Sequence, residues 1–367
     1  MRIGKSLSLF ADIKEIPAVL DQKHYPSLNG LRGISIIMVV LHHIMLLYYG
    51  KYPSFFFIGH LGVDIFFVIS GFLITTLCIK EKVLTGTLDL KNFYIRRAFR
   101  ILPVAFLYIV VIAILNYFFN LHIALVTFVT AGLFLANISY FNQVHYAWNL
   151  AHYWSLSTEE QFYFLFPIFI KRRFSVFAGM VLFLPFLVPL LFYLQSAIPF
   201  LDVGLLSSVL RYLIKFQGIS IGCLFSILLF KGFLNFGRYS LQVTLLSIFL
   251  MGYIKYDPAA NLRSSFTNLV VSVCVGLVVV NNISPKTDLI YKFLNMKALS
   301  FVGVLSYSIY IWQQLFLGND ARFPLSKYPV NLIFLVIIPL VSYYGFENYF
   351  LRLKGRYKVI KQKAANV

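Results

Sequence analysis

The sequence has few charged residues and very few acidic ones. Asp, Glu, Lys and Arg make up 12% of its 367 residues, and 32 basic residues stand against 13 acidic ones. Soluble globular domains contain about 25% charged residues. The composition therefore excludes a soluble domain of this length.

Cysteine is also scarce. Cys78, Cys223 and Cys274 all lie in apolar segments, so the sequence indicates neither a disulfide framework nor a zinc site, and we expect no metal. A cleavable signal peptide is not apparent either, because charged residues are scattered among short apolar pieces over residues 1–27. We expect that segment to be a cytoplasmic tail.

Hydrophobic residues, at 60%, are what the sequence has in excess. Apolar runs of about 17 to 25 residues, the length that crosses a bilayer core, recur with short polar connectors between them. They lie near 30–50, 57–79, 101–119, 123–141, 154–170, 174–198, 210–230, 238–254, 267–284, 299–317 and 329–351. The pattern predicts an all-α, polytopic integral membrane protein, with the lipid bilayer as its surroundings.

Basic residues in the connectors orient these segments. The net charge of +19 is spread over the connectors and the C-terminal end and forms no single patch, so we expect no nucleic-acid partner. Lysine and arginine beside membrane segments tend to face the cytoplasm. The basic residues from Lys80 to Arg100 therefore belong on the same side as the N-terminal tail, which two crossings permit.

The next basic cluster, at 171–173, should face the cytoplasm too, but three apolar segments separate it from Arg100. An odd number of crossings cannot return to the same side. One of 101–119, 123–141 and 154–170 must therefore be re-entrant, interfacial or merged with a neighbour. With six further alternating segments, we predict about ten transmembrane helices around a central polar cavity, with both termini cytoplasmic. The oligomeric state stays open.

The first apolar segment contains two ionisable residues, Arg32 and His43. Eleven residues at about 100° each come within roughly 20° of three full turns, so the two side chains share a helix face about 16 Å apart. An imidazole near the bilayer midplane should face a polar interior, where it is a natural proton acceptor. The alternative is a hydrogen-bonded core histidine, with Arg32 snorkelling to the headgroups.

Two further clusters are candidates for chemistry. Arg97 and Arg100 lie three residues apart on one helix face and suit a phosphate group, although basic residues flanking a crossing are also the ordinary topology signal. Glu159 shares a helix face with Ser155 and Tyr163, with Glu160 turned away. Glu159 either orients a protonated histidine or pairs with an arginine of another helix, and the spacing does not choose.

Four motifs in this order carry a resemblance: LNGLRGISIIMVVLHH, GHLGVDIFFVISGFLIT, FYIRRAFRILP and YWSLSTEEQFYFLFP. They resemble the membrane acyltransferase type 3 family, in the branch of bacterial O-antigen and exopolysaccharide acetylases, over nearly the whole chain. The family's arginine-x10-histidine pattern falls on Arg32 and His43, and its arginine-x-x-arginine pattern falls on Arg97 and Arg100. Its Trp-Ser-Leu-x-x-Glu pattern ends on Glu159.

The resemblance implies transfer of an acyl group from acetyl-CoA or another acyl-CoA to a hydroxyl of a carbohydrate acceptor, in the bacterial inner membrane. His43 is then expected to be the general base, with Glu159 stabilising its imidazolium. Arg97 and Arg100 are expected to bind the phosphates of coenzyme A, and Arg32 to position its thioester arm. The alternative is a transporter or flippase for a lipid-linked sugar, although related halves and paired broken helices are not apparent.

The chain departs from the family pattern at two places that bear on the site. Asn29 stands where aspartate is usual, and Gln313 follows Tyr310-Ile311-Trp312 where a histidine is common. The second departure favours His43 over a late histidine as the proton carrier. We predict a cytoplasmic tail at 1–27, the acyltransferase transmembrane domain at 28–352 and a basic cytoplasmic tail at 353–367, so that the membrane domain alone performs the transfer.

Overall fold

The computed structural model describes residues 9–22, 24–49, 59–138, 147–198, 204–234, 237–256, 264–318 and 323–357. These residues form helices and no strands, which confirms the all-α prediction. The α-helices in chain order are α1 Pro26–Tyr49, α2 Gly59–Thr85, α3 Leu90–Phe119, α4 Leu125–Gly132, α5 Trp148–Ala151, α6 Tyr153–Arg172, α7 Phe174–Ala197, α8 Gly204–Leu213, α9 Gln217–Phe230, α10 Ser240–Tyr256, α11 Ser264–Asn282, α12 Leu289–Leu294, α13 Lys297–Phe316, α14 Val330–Ser342 and α15 Asn348–Lys354.

Shorter turns extend or join several of these helices. A π-helical turn, Tyr343–Glu347, connects α14 to α15 without a break in the chain direction. Turns of 3-10 helix lie at Ile214–Phe216, Gly237–Tyr239, Pro324–Ser326 and Gly355–Tyr357. Turns of π-helix are rare and often occur at functional sites, so the turn before α15 makes that helix a candidate part of a functional site.

Seven helical stretches of the described chain are long and apolar enough to cross a bilayer: Pro26–Tyr48, Gly59–Thr85, Leu90–Phe119, Phe174–Gln195, Ser208–Phe230, Ser265–Asn282 and Val330–Tyr357. Large apolar side chains such as Phe118, Phe183 and Phe249 are exposed on the outside of the bundle, where lipid tails would cover them. The polytopic membrane fold is confirmed, and the predicted total of ten crossings is not.

Of the three segments that could break the alternation, 123–141 contains the shortest described helix. Its helix, α4, has eight residues, or about 12 Å at 1.5 Å per residue, which is far short of a bilayer core of about 30 Å. The segment 101–119 is instead part of the 30-residue α3, and 154–170 lies within the 20-residue α6. Residues 139–146 lie outside the described residues.

Glycines let the central helices approach until their backbones touch. A methyl group on Gly303 of α13 would lie 1.8 Å from the carbonyl oxygen of Asn29 in α1, and one on Gly71 of α2 would lie 2.0 Å from the carbonyl oxygen of Ile219 in α9. Small residues permit this close packing between membrane helices. The contacts fix α1 against α13 and α2 against α9, and thereby the faces that carry Arg32 and the polar residues of α2.

Basic side chains gather at one end of the bundle, which we call the basic end. Lys80, near the end of α2, donates to the carbonyl oxygen of Leu20 over 2.8 Å, and Arg96, near the start of α3, donates to that of Tyr357 over 3.0 Å. The first and last described parts of the chain therefore meet at the same end. The domain limits at 27 and 353 stay predictions, and residues 1–8, 23 and 358–367 lie outside the described residues.

Candidate active site

A cavity of about 210 Å³ opens between α1, α2, α3, α6, α13 and α15 in the half of the bundle nearer the basic end. Apolar residues of α2, among them Leu73, Ile74 and Leu77, form one wall. The polar and charged lining comes from Arg32, Ser70, Glu81, Arg96, Arg97, Arg100, Ser155, Glu159, Tyr163, Ser306, Tyr307, Tyr310 and Lys354. Four of the five predicted site residues, Arg32, Arg97, Arg100 and Glu159, are thus brought together.

Arg97 is held from three sides. Its Nη2 lies 2.9 Å from Oε1 of Glu160 and 3.5 Å from Oε2 of Glu159, and its Nε also donates to Glu160 over 3.1 Å. The guanidinium carbon lies 3.3 Å from the centre of the Tyr163 ring, a cation–π distance. Two carboxylates therefore balance its charge. Glu160 was missed from the sequence because its partner is on another helix.

Glu159 bonds to α2 as well as to α3. One carboxylate oxygen accepts a hydrogen bond from Ser70 Oγ over 2.9 Å, and the other faces Arg97. Of the two alternatives that spacing left open, the structure contains the arginine pair. The expected contact between Glu159 and the imidazole of His43 is not among the contacts of the described residues.

Arg32 and Arg100 differ from Arg97. In the part of the chain that the structure describes, neither guanidinium has a carboxylate oxygen within 4.0 Å. A half-buried cation without a counter-ion is costly to keep in a membrane protein. Two such cations side by side make this part of the cavity a site that is suited to an anion, and guanidinium groups bind phosphate through paired hydrogen bonds.

His43 lies farther along α1, and it is not among the described residues that line the cavity. Its Nδ1 is 3.1 Å from Oε1 of Gln313, and its ring meets the ring of Trp148 edge to face with centroids 5.3 Å apart. With the amide oxygen accepting, Nδ1 carries the proton and Nε2 holds the lone pair. Gln313, the residue that departs from the family pattern, is therefore the polar partner of the predicted base.

Several polar groups lie between the cavity and His43. Tyr310, which lines the cavity, shares a hydrogen bond with Ser155, and its hydroxyl donates to the carbonyl oxygen of His152 over 3.4 Å. The His152 side chain is 2% exposed, and its Nδ1 lies 2.6 Å from Oε1 of Gln314. His152 was missed from the sequence, although it directly precedes the Tyr153-Trp154-Ser155 stretch.

The last step of this polar chain reaches the ring beside His43. The carbonyl oxygen of Gln314 accepts a hydrogen bond from Nε1 of Trp148 over 3.1 Å, and Trp148 packs on His43. Neutral hydrogen-bonding groups thus connect the charged cavity with the imidazole, which lies roughly 16 Å from Arg32 along the helix axis. The charged cavity and the imidazole are therefore separate parts of the candidate site.

Comparisons with known proteins identify similar chains. A family model described as an acyltransferase domain matches residues 25–347. O-acetyltransferase OatA of Staphylococcus aureus strain NCTC 8325 is 27% identical over 381 residues, which cover 94% of this chain and 60% of that protein. A putative O-acetyltransferase of Staphylococcus aureus strain COL is 26% identical over 375 residues, covering 89% and 57%.

The chain therefore spans about 60% of the length of the curated relatives that it matches. No solved structure matches it. The family match includes all five predicted site residues, from Arg32 to Glu159, and also Tyr310 and Gln313.

Proposed function

Because the chain belongs to the membrane acyltransferase type 3 family, we propose that it is a membrane O-acyltransferase. It moves an acyl group, an acetyl group in the first instance, from acyl-CoA to a hydroxyl of an envelope carbohydrate such as lipopolysaccharide O-antigen or an exopolysaccharide. The observation that supports this most directly is the cavity in which Arg32 and Arg100 have no carboxylate partner among the described residues. The names of the relatives support the acetyl group.

In this proposal the basic end of the bundle faces the cytoplasm of a bacterium and the protein lies in the inner membrane, as positive residues beside membrane segments favour. Coenzyme A is cytoplasmic and carries several phosphate charges. Arg32 and Arg100 bind those phosphates directly, and Arg97 contributes by offsetting the negative charge of Glu159 and Glu160, which would otherwise repel the phosphates. Glu159 then acts on the donor side of the site, as the anchor of Arg97.

His43 acts at the other end of the donor. The thioester arm extends from the cavity past Tyr310, and Nε2 of His43 takes the proton of the acceptor hydroxyl while that oxygen attacks the thioester carbonyl. The bond from carbon to sulfur breaks, and the proton passes from the imidazolium to the leaving sulfur of coenzyme A. General-base assistance of this kind contributes about a hundred- to ten-thousand-fold to a rate.

The direct test uses the full chain, purified in detergent, with isotope-labelled acetyl-CoA and envelope polysaccharide from a strain that lacks the gene. We expect labelled ester on the polysaccharide, and loss of the same ester from the envelope of the deletion strain. Movement of a lipid-linked sugar across proteoliposomes without any acyl transfer would overturn the proposal in favour of a transporter or flippase.

A further inference from the structure

The last described helix brings one more cation to the cavity. Lys354 closes α15, which follows the π-helical turn Tyr343–Glu347, and it lines the cavity together with Arg32 and Arg100. These three cations come from three helices, α15, α1 and α3, that are far apart in the sequence. None of the motifs that point to the site includes Lys354.

Lys354 also lacks a counter-ion. Among the described residues it has no carboxylate oxygen within 4.0 Å and no hydrogen-bond partner. Two other lysines near this end, Lys82 and Lys80, are engaged by contrast: Lys82 pairs with Asp12 at 2.8 Å, and Lys80 donates to backbone carbonyls. Lys354 is therefore a lysine that lines the cavity with its ammonium group uncommitted.

The position of Lys354 does not depend on its own charge. Helix α15 packs against α3, where the rings of Phe350 and Phe99 stack with centroids 6.4 Å apart. The backbone carbonyl of Tyr357, three residues beyond Lys354, accepts a hydrogen bond from Arg96. Contacts on either side of Lys354 thus fix the end of α15. Because the ammonium group is not needed for that, it is available for a ligand.

The charges of the cavity call for a ligand with more than one negative charge. Five cations line it, Arg32, Arg96, Arg97, Arg100 and Lys354, against three carboxylates in or beside it, Glu81, Glu159 and Glu160. Like charges this close repel one another in a partly buried site, so an anion that enters between them stabilises the arrangement.

We infer that Lys354 is a third direct ligand of the donor's phosphate groups, beside Arg32 and Arg100; this inference rests on the proposed function. An arginine offers a rigid fork that matches one phosphate, whereas lysine is a compact point charge on a flexible stem. The two arginines therefore grip a diphosphate, and Lys354 reaches a phosphate group at the open side of the cavity. Donors that carry fewer phosphate charges lose this contact.

The test measures coenzyme A binding to the purified full chain by calorimetry at several salt concentrations. Lys354→Met keeps the length and the apolar stem of the side chain and removes the charge. We expect affinity to fall about ten-fold, the usual effect of losing one hydrogen bond to a charged group, and the salt dependence of binding to become shallower. Lys354→Arg should restore most of the affinity.

Lys292→Met is the matched control, because Lys292 is an exposed lysine of α12, outside the cavity lining. Unchanged affinity in Lys354→Met, with wild-type protein binding coenzyme A, would overturn the role of Lys354 and leave the donor proposal standing. Failure of the wild-type protein to bind coenzyme A would overturn both. Loss of binding in Lys354→Met and Lys354→Arg alike, with normal unfolding temperatures, would also contradict a role for the charge.

Discussion

The two ends of the polar face of α1 differ in chemical kind. Around Arg32 the neighbours are guanidinium groups and carboxylates, with Arg97 bound to Glu159 and Glu160. Around His43 they are the amide of Gln313 and the rings of Trp148 and His42. Three helical turns separate a site suited to holding charge from one suited to receiving a proton.

This difference explains how one helix can contribute both to binding an anion and to accepting a proton. A polyanion is held best by fixed positive charge, whereas a general base must be neutral before it takes a proton. A carboxylate beside His43 would favour the charged imidazolium, but the Gln313 amide fixes the ring without adding charge. Substitutions at each end should therefore change different kinetic constants.

His43→Ala should remove the chemistry and leave donor binding intact. We expect kcat for acyl transfer to fall at least about a hundred-fold, as for loss of a general base, with coenzyme A affinity within two-fold of wild type (roughly the error of such comparisons). His122→Asn is the control, because His122 has a φ of 58° and asparagine tolerates that conformation. Full activity of His43→Ala in a transfer assay would refute the assignment of the base.

Arg100→Met should weaken donor binding and leave the chemical step intact. Loss of an unpaired guanidinium from the cavity should raise KM for acetyl-CoA about ten-fold or more, since hydrogen bonds to charged groups are the strong ones, while kcat changes little. Steady-state kinetics over a range of donor concentrations measures the two constants separately. A fall in kcat with an unchanged KM would place Arg100 in the reaction step and not in donor binding.

Gln313→Leu should lower kcat by less than His43→Ala does. The substitution removes the acceptor on Nδ1 and frees the ring to adopt the other tautomer, so we expect kcat to fall about five- to ten-fold, in line with one neutral hydrogen bond. KM for acetyl-CoA should not change. Gln313→His, which restores the residue common in the family, is the companion variant, and equal activity of Gln313→Leu and wild type would show that the amide does not orient the base.

Gly303→Ala should destabilise the contact between α1 and α13, with only a slight effect on the Arg32 and His43 ends of the site. The added methyl group has a backbone oxygen of Asn29 at 1.8 Å, so α1 and α13 must separate, at a cost of about 1–3 kcal/mol. Thermal unfolding in detergent should show a lower midpoint. Gly345→Ala is the control, because a methyl group there has no atom within 4 Å; an equal shift in both variants would rule out the helix contact as the cause.

Much of the charged half of the site follows from the sequence. The spacing of Arg32 and His43 on one helix, and of Arg97 and Arg100 on another, predicts shared faces because helical geometry is fixed. The family motifs add Glu159. The cavity then brings four of these five residues together.

The remaining features depend on contacts between helices, which spacing does not determine. Spacing places Glu160 on the other face from Glu159, yet both reach Arg97 because α3 and α6 cross beside the pair. Lys354 lines the cavity only because α15 packs against α3. The short α4 was hidden too, since apolar composition alone does not reveal where a helix ends.

The backbone contact at Gly303 has a consequence for motion during the reaction. With α1 and α13 touching, the two helices form a single stiff unit that carries Arg32 and His43 on one member and Tyr310 and Gln313 on the other. A methyl group on Gly62 of α2 would lie 2.6 Å from the carbonyl oxygen of Ser35 in α1, so we expect any widening that admits the substrates to come from displacement of α3, α6 or α15.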